Sequence, residues 1–236
     1  MSGKADTSVV DVARSLRRSL LFADVADSTV ASLAAGARVR RVQRGALLIM
    51  EGDAPAAMYV LADGFLRVFT TSLDGVEPTL TVLFPGDHVG ELGMLDGVVR
   101  SASVGALRTS TVIDIRRDTF VSAYECDGAI SRTLVAHLAR RLRSTSERLT
   151  DLTILDLGAR LAKYLGGEAE LAAARGSTQF ELLLNQSELG QLLGGARQSI
   201  NQLLAILERD GILTVDGRQV TVIDTERLAQ RAALRW

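Results

Sequence analysis

The 236-residue chain is 47% hydrophobic and carries a formal net charge of −1. That suits one large domain or two smaller ones, and total charge announces neither nucleic acid nor a membrane surface as partner. Cys126 is the only cysteine, which excludes an internal disulfide, a CxxC redox pair and a four-cysteine iron–sulfur site, and fits a reducing cytosol. No apolar run approaches membrane-spanning length and no signal peptide is visible, so a cytoplasmic protein without membrane contact is expected.

In chain order, residues 1–19 are polar and predict a frayed or loosely helical start. "LLFADVADSTVASLAA" (20–35) predicts a short helix capped by Asp27 or Ser28 and burying Val30, Leu33 and Ala34. Strand signals follow. Glycines at 45, 52, 64, 75, 86 and 97 separate the β-prone runs "ALLIM", "MYVLA", "FLRVF", "LTVLF" and "TVIDI". Turn signals at this spacing predict a β barrel or sandwich rather than a βαβ fold. From Asp127 to Leu155 the pattern becomes helical. Leu138, Leu142, Thr145, Leu149 and Leu152 recur at a/d spacing, which fits a dimer seam or the core helix of a single chain, and the Arg- and Glu-rich flanks favour the seam. Beyond residue 157, "LGARLAKYLGG" reads as a helix ended by glycines and "STQFELLL" as a strand. "NQSELGQLLGGARQSINQLLAILERDGIL" reads as helix, tight turn, helix, and "ILTVDGRQVTVI" as a hairpin around Asp216-Gly217. That order is a winged helix-turn-helix. The expected architecture is α+β: a jelly-roll-like β-roll at 20–126, a dimerisation helix at 127–156 and a winged helix-turn-helix at 157–236.

Two stretches carry chemistry. "GELGMLDGVVRSASV" (90–104) sets Glu91 and Arg100 on either side of a glycine-bearing turn, followed by Ser101 and Ser103. A guanidinium fork suits an anion, and a carboxylate accepts from a hydroxyl. Gly90 and Gly93 let backbone approach a ligand closely, and the N–H groups after Gly90, Leu92 included, point to the same anion. The plain alternative is a turn whose Glu91 and Arg100 form a salt bridge. In the second stretch, Gly194-Gly195 join two helices. Ala196–Glu208 buries Ile200, Leu203, Leu204 and Leu207 and leaves Arg197, Gln198, Ser199, Asn201 and Gln202 on its early turns. Arginine, glutamine and asparagine are the types that read base edges.

These pieces, in this order over about residues 20–224, resemble the CRP/FNR family of transcription regulators, relatives of the cyclic-AMP receptor protein. The resemblance implies that Gly90–Val104 is a phosphate-binding cassette. It implies that Glu91 binds a ribose 2′-hydroxyl, that Arg100 pairs with the cyclic phosphate and that Ser101 supports it. It also implies that Thr145 and the other subunit's Ser146, within "RRLRSTSERL", bond the purine amino group. A threonine satisfied by the carbonyl one turn back is the alternative there. The cyclic-AMP receptor protein has glutamate and a second arginine where this chain has Gln198 and Gln202, and serine where it has Ala196, so its operator sequence does not carry over.

The expected function is a homodimeric, DNA-binding regulator switched by cyclic AMP, with cyclic GMP open as effector. Its partner is a near-palindromic duplex operator, and RNA polymerase is left open as a further one. No cofactor, metal or enzymatic activity is expected. No GxxxxGK[ST] or GxGxxG motif and no nucleophile–base pair stands out. His88 and His137 are far apart in sequence, and His88 is expected at a strand edge rather than on a haem. Two alternatives stay open: an effector-independent regulator with an unoccupied pocket, and a ligand-binding module whose C-terminal domain serves protein contacts. One count argues against DNA. Residues 157–236 hold nine basic and nine acidic residues, not the surplus of a basic domain.

Overall fold

The structure is a computed structural model and describes residues 11–233. Within it the chain forms two compact units, residues 11–70 with 81–139 and residues 71–80 with 140–233.

The first unit is built on two antiparallel four-stranded sheets. One has the order β1 (Arg38–Val42), β8 (Ser110–Arg116), β3 (Ala57–Asp63), β6 (His88–Val89). The other has β2 (Leu47–Ile49), β7 (Ser103–Ala106), β4 (Leu66–Phe69), β5 (Thr79–Leu83). All five β-prone runs of the sequence are strands. The glycines at 45, 52, 64, 75, 86 and 97 all adopt positive φ, from 71° at Gly97 to 100° at Gly86, a conformation open to glycine without a Cβ clash. The sequence reading passed over β1 because four of its five residues are exposed, leaving no apolar face to betray it.

β3 explains the layering. Its alternate residues Ala57, Tyr59 and Leu61 join Leu66, Val68, Val104 and Val112 in the core between the sheets. Met58 and Val60 point the other way, into a second core with Ile113, Ile115 and the helices. A strand buried on both faces reads as a continuous apolar run, as "MYVLA" does. The helices on that outer face are α1 (Val12–Arg18), α2 (Asp27–Gly36), α3 (Glu91–Asp96), α4 (Arg117–Cys126) and the start of α5 (Gly128–Ile154).

Of the two readings of the N-terminal stretch, the helical one holds for residues 12–18: Asp11 caps α1, its carboxylate accepting from Arg14 N–H at 3.0 Å, and Leu16 is fully buried. Residues 1–10, for which the same expectation was stated, lie outside the described residues. Helix α2 buries Val30 and Leu33 as expected, but its N-cap is Ala26 rather than Asp27 or Ser28. The missing side-chain cap is replaced by Asp127, whose Oδ2 accepts from Ala26 N–H at 2.9 Å while its Oδ1 accepts from Ala129 N–H at 2.9 Å. Those N–H groups, Ala26 first, hold the Asp127 carboxyl below the usual carboxylate range. One aspartate thus ties α2 to the start of α5.

The second unit contains the end of α5, α6 (Leu157–Ala173), β9 (Gln179–Glu181), α7 (Gln186–Leu193), α8 (Arg197–Arg209), β10 (Leu213–Asp216), β11 (Gln219–Val222) and α9 (Thr225–Ala233). The hairpin is present. Asp216 pairs with Gln219, so Gly217, at φ 60°, is the first of two turn residues. β9 adds a third strand, giving the order β10-β11-β9. Asp156 caps α6, accepting from Ala159 N–H at 2.9 Å. Helix α6 does not stop at Gly166-Gly167. It runs on to Ala173, because the face carrying Leu161, Ala162, Leu165 and Ala172 is buried and α6 packs along α9. Tertiary burial overrides the local glycine penalty there. Among the described residues no helix is long and apolar enough to cross a membrane.

A Cβ at Gly166 or at Gly167 would meet no atom within 4 Å, and neither glycine has positive φ. Gly166→Ala and Gly167→Ala should each stabilise the second unit by about 0.8–1 kcal/mol, the helix-interior difference between the two residues. Urea unfolding of the full chain checks this, with the midpoint rising at unchanged slope.

Candidate functional site

The cassette is built where β6 runs into α3. Gly90 sits between them in the left-handed region, φ 90°, and caps the helix. A Cβ there would lie 2.8 Å from Arg100 Nη1 and 3.3 Å from the Ala57 carbonyl oxygen. Both conformation and space therefore require glycine. Glu91, the first helical residue, is 1% exposed, and Arg100 is 7% exposed. Leu92 faces outward.

Arg100 is held from two directions. Its side chain donates from Nη1 to the Gly90 carbonyl at 2.8 Å and from Nη2 to the Ala57 carbonyl. Its main chain donates to the Asp53 carbonyl at 2.9 Å and accepts from Gly52 N–H at 2.9 Å. Burial lowers the guanidinium's pKa, opposed by the nearby Tyr59, Glu91 and Asp53. Two bonds do not exhaust the five N–H donors of a guanidinium. Main-chain carbonyls accept both of these side-chain bonds, and Glu91 lies close enough to act on the guanidinium electrostatically. Of the two serines, Ser101 is exposed beside Arg100, while Ser103 is buried and its Oγ accepts from Glu51 N–H at 3.0 Å.

Thr145 and Ser146 lie in the second unit, on exposed turns of α5. Each hydroxyl donates to the carbonyl one turn back, Thr145 to Arg141 at 2.9 Å and Ser146 to Leu142 at 3.0 Å. The local alternative for Thr145 is therefore what the structure contains. Along the same helix Val135, Leu142, Leu149 and Leu152 are exposed apolar residues.

The helix-turn-helix matches its expected register to within one residue. Asn185 and Glu188 form a reciprocal capping box on α7, and Gly194 closes that helix at φ 70°. α8 starts at Arg197, with Ala196 as its cap. Ile200, Leu204 and Leu207 are buried and Leu203 partly so. Arg197, Gln198, Asn201 and Gln202 are exposed on one face, with Ser199 half-buried beside them. Three glycines make the turn tight. A Cβ at Gly190 would lie 2.6 Å from the Gly195 carbonyl oxygen, one at Gly194 would lie 2.9 Å from Leu152, and one at Gly195 would lie 2.4 Å from Leu157. Gly190 was not singled out from sequence, although a glycine inside a helical pattern is the signal for such an approach.

The fold also joins residues that sequence separation kept apart. The rings of His88, on β6 at the sheet edge, and His137, on α5, lie 4.3 Å apart between centroids. His88 stands on the edge strand β6, as expected, and α5 brings His137 beside it despite their separation in sequence.

Comparison with known proteins follows this geometry. Residues 39–126 match the family model of the cyclic nucleotide-binding domain, and residues 159–231 match that of the Crp-like helix-turn-helix domain. A CRP-like cAMP-activated global transcriptional regulator of Mycobacterium tuberculosis is 32% identical over 222 residues, 92% of this chain and 98% of that protein. Among solved structures, FixK2 from Bradyrhizobium japonicum aligns with a TM-score of 0.76 at 21% identity over 85% of this chain and 99% of its own. The c-di-GMP responsive regulator CLP of Xanthomonas campestris aligns at 0.70 and 20% identity over 84% and 99%. At these identities the two structures speak for the fold alone.

Gly90→Ala should destabilise the first unit by more than Gly97→Ala. Both glycines have positive φ, but a Cβ at Gly97 meets nothing within 4 Å. Thermal unfolding of the two variants beside the parent checks this. Gly97→Ala should lose about 1–2 kcal/mol from the left-handed conformation alone, and Gly90→Ala should lose that plus the cost of displacing Arg100.

Proposed function

The chain belongs to the CRP/FNR family of cyclic-nucleotide-binding, DNA-binding transcription regulators, and from that premise we propose that it is a cytoplasmic homodimer switched by cyclic AMP. The observation that carries the effector reading is the burial of both Arg100 and Glu91 at the Gly90-capped turn. A cyclic phosphate brings one negative charge, and a bond between two ionised groups exceeds the bonds Arg100 makes to uncharged carbonyl oxygens. Ser101, exposed beside it, supports the same group, while Glu91 accepts from the ribose hydroxyl and the Gly90–Leu92 backbone lies alongside. The resemblance assigns purine selection to Thr145 and Ser146, whose hydroxyls would exchange their intrahelical carbonyls for the adenine amino group. The relative described as cAMP-activated supports this effector over cyclic GMP.

Homodimerisation is supported by the exposed apolar row Val135, Leu142, Leu149 and Leu152 on α5, a row of the kind that supercoiled helix pairs cover. DNA reading is assigned to the exposed face of α8, with Arg197, Gln198 and Gln202 on base edges and Ser199 and Asn201 beside them. With acidic and basic residues balanced beyond residue 157, non-specific affinity should be modest and discrimination should rest on direct readout.

Isothermal titration with cyclic AMP and cyclic GMP tests the effector. The parent should bind cyclic AMP more tightly, and Arg100→Ala should lose about 2–5 kcal/mol of that affinity. Arg100→Lys, which keeps a cation but not the fork, should fall between. Binding by Arg100→Ala within a factor of about two of the parent, well short of that loss, overturns the pocket. No binding of either nucleotide by the parent turns the reading to an effector-independent regulator.

Selection of binding sites from random duplex DNA tests the other end. The dimer should enrich a near-palindrome with half-sites about 34 Å apart, and substituting Gln202 should change preference at one position per half-site at about 1–3 kcal/mol. An unchanged preference after substituting Arg197, Gln198 and Gln202 together removes α8 as the reader, and no enrichment at all favours a C-terminal domain devoted to protein contacts.

A further inference from the structure

We propose that His88, Glu91 and His137 form a binding site for a divalent first-row transition ion of the Zn2+ class, and that the ion and the cyclic nucleotide compete for Glu91. The competition rests on the nucleotide reading above; the ion site itself does not. One ligand-capable atom from each of the three residues lies within 4.8 Å of the other two. A tetrahedral site with bonds of about 2.0–2.1 Å needs ligand atoms about 3.4 Å apart. Small rotamer shifts close that difference.

The segment that builds the cassette delivers two of the ligands. His88 ends up on β6, with its main chain paired to Val60 of β3. After Val89 the left-handed Gly90 turns the chain, and Glu91 begins α3. Both side chains are buried, His88 at 5% and Glu91 at 1% exposure. The third comes from α5. Ala129, Ile130 and Leu134 anchor that helix in the helix-side core and Leu138 packs against it, which fixes His137 next to the pair and leaves it partly exposed as a route in from solvent. All three belong to the first unit.

The donor set selects the ion. Two imidazoles and one carboxylate with a fourth position open is an arrangement Zn2+ accepts, whereas Mg2+ and Ca2+ prefer oxygen alone. The ring contact points the same way. Two imidazoles with centroids 4.3 Å apart repel if both are protonated, and a shared cation bound to neutral rings removes that repulsion. The ion would fix α3 to α5 while withdrawing the carboxylate that a ribose hydroxyl needs. Reciprocity then makes the nucleotide weaken the ion by the same factor as the ion weakens the nucleotide.

The test uses the full chain with any affinity tag removed. Co2+ is titrated in and followed by its visible ligand-field absorption, then displaced with Zn2+. One ion per chain should bind in a four-coordinate spectrum. His137→Ala and His137→Gln, at a partly exposed helix position where folding is expected to survive, should each weaken binding by roughly tenfold or more. His88→Ala should do the same, with circular dichroism reporting its folding. Absorption that is absent, or unchanged in the His137 variants, overturns the site. Saturating Zn2+ should weaken cyclic AMP binding by roughly tenfold in the parent and leave it unchanged in His137→Ala. An ion bound through both histidines that does not alter nucleotide affinity overturns Glu91 as the shared ligand. A chain that binds the ion but no cyclic nucleotide keeps the ion site and overturns the nucleotide reading, and the converse overturns the ion site alone.

Discussion

The buried guanidinium of Arg100 is the interaction around which the first unit's site is organised. It satisfies the carbonyls of Gly90 and Ala57, and a buried carbonyl left without a donor costs about 1–3 kcal/mol. One side chain therefore holds the cap of α3 against the start of β3. Its own main chain is fastened to residues 52 and 53, so the loop before β3 and the end of the cassette share an anchor. Gly90 is the corresponding constraint on the backbone, because any larger residue would occupy the space of the guanidinium.

The long helix α5 has a different economy in each half. Ala129, Ile130 and Leu134 bury its beginning in the core, and Asp127 fastens that end to α2. Its later turns expose leucines, and the hydroxyls of Thr145, Ser146 and Thr150 all turn back on carbonyls of the helix itself. Each of these hydroxyls is thus satisfied within its own helix. At the end of α5, Leu152 presses on Gly194, and Leu157, the first residue of α6, presses on Gly195. Side chains at the junction of α5 and α6 thus bear directly on the turn that sets the angle between α7 and α8.

The sequence by itself determined the order of the main elements, the β nature of the first unit and the polar face of α8. These rest on local rules: alternation, glycine at positive φ and helical period, all expressed within a few residues. Its misreadings are also instructive. Gly166-Gly167 looked like a helix end because propensity is local, yet α6 continues because α9, which arrives sixty residues later, covers its face. β1 was invisible because its residues gain their structure from pairing with β8 rather than from an apolar pattern. Only the tertiary structure decided where the charged groups of the cassette go. That Arg100 bonds to Ala57, forty-three residues away, and that His137 meets His88 and Glu91, depends on burial and on contacts between distant segments. Sequence spacing records none of these, because the energy that fixes them comes from desolvation and packing that exist only once the sheets and helices have closed.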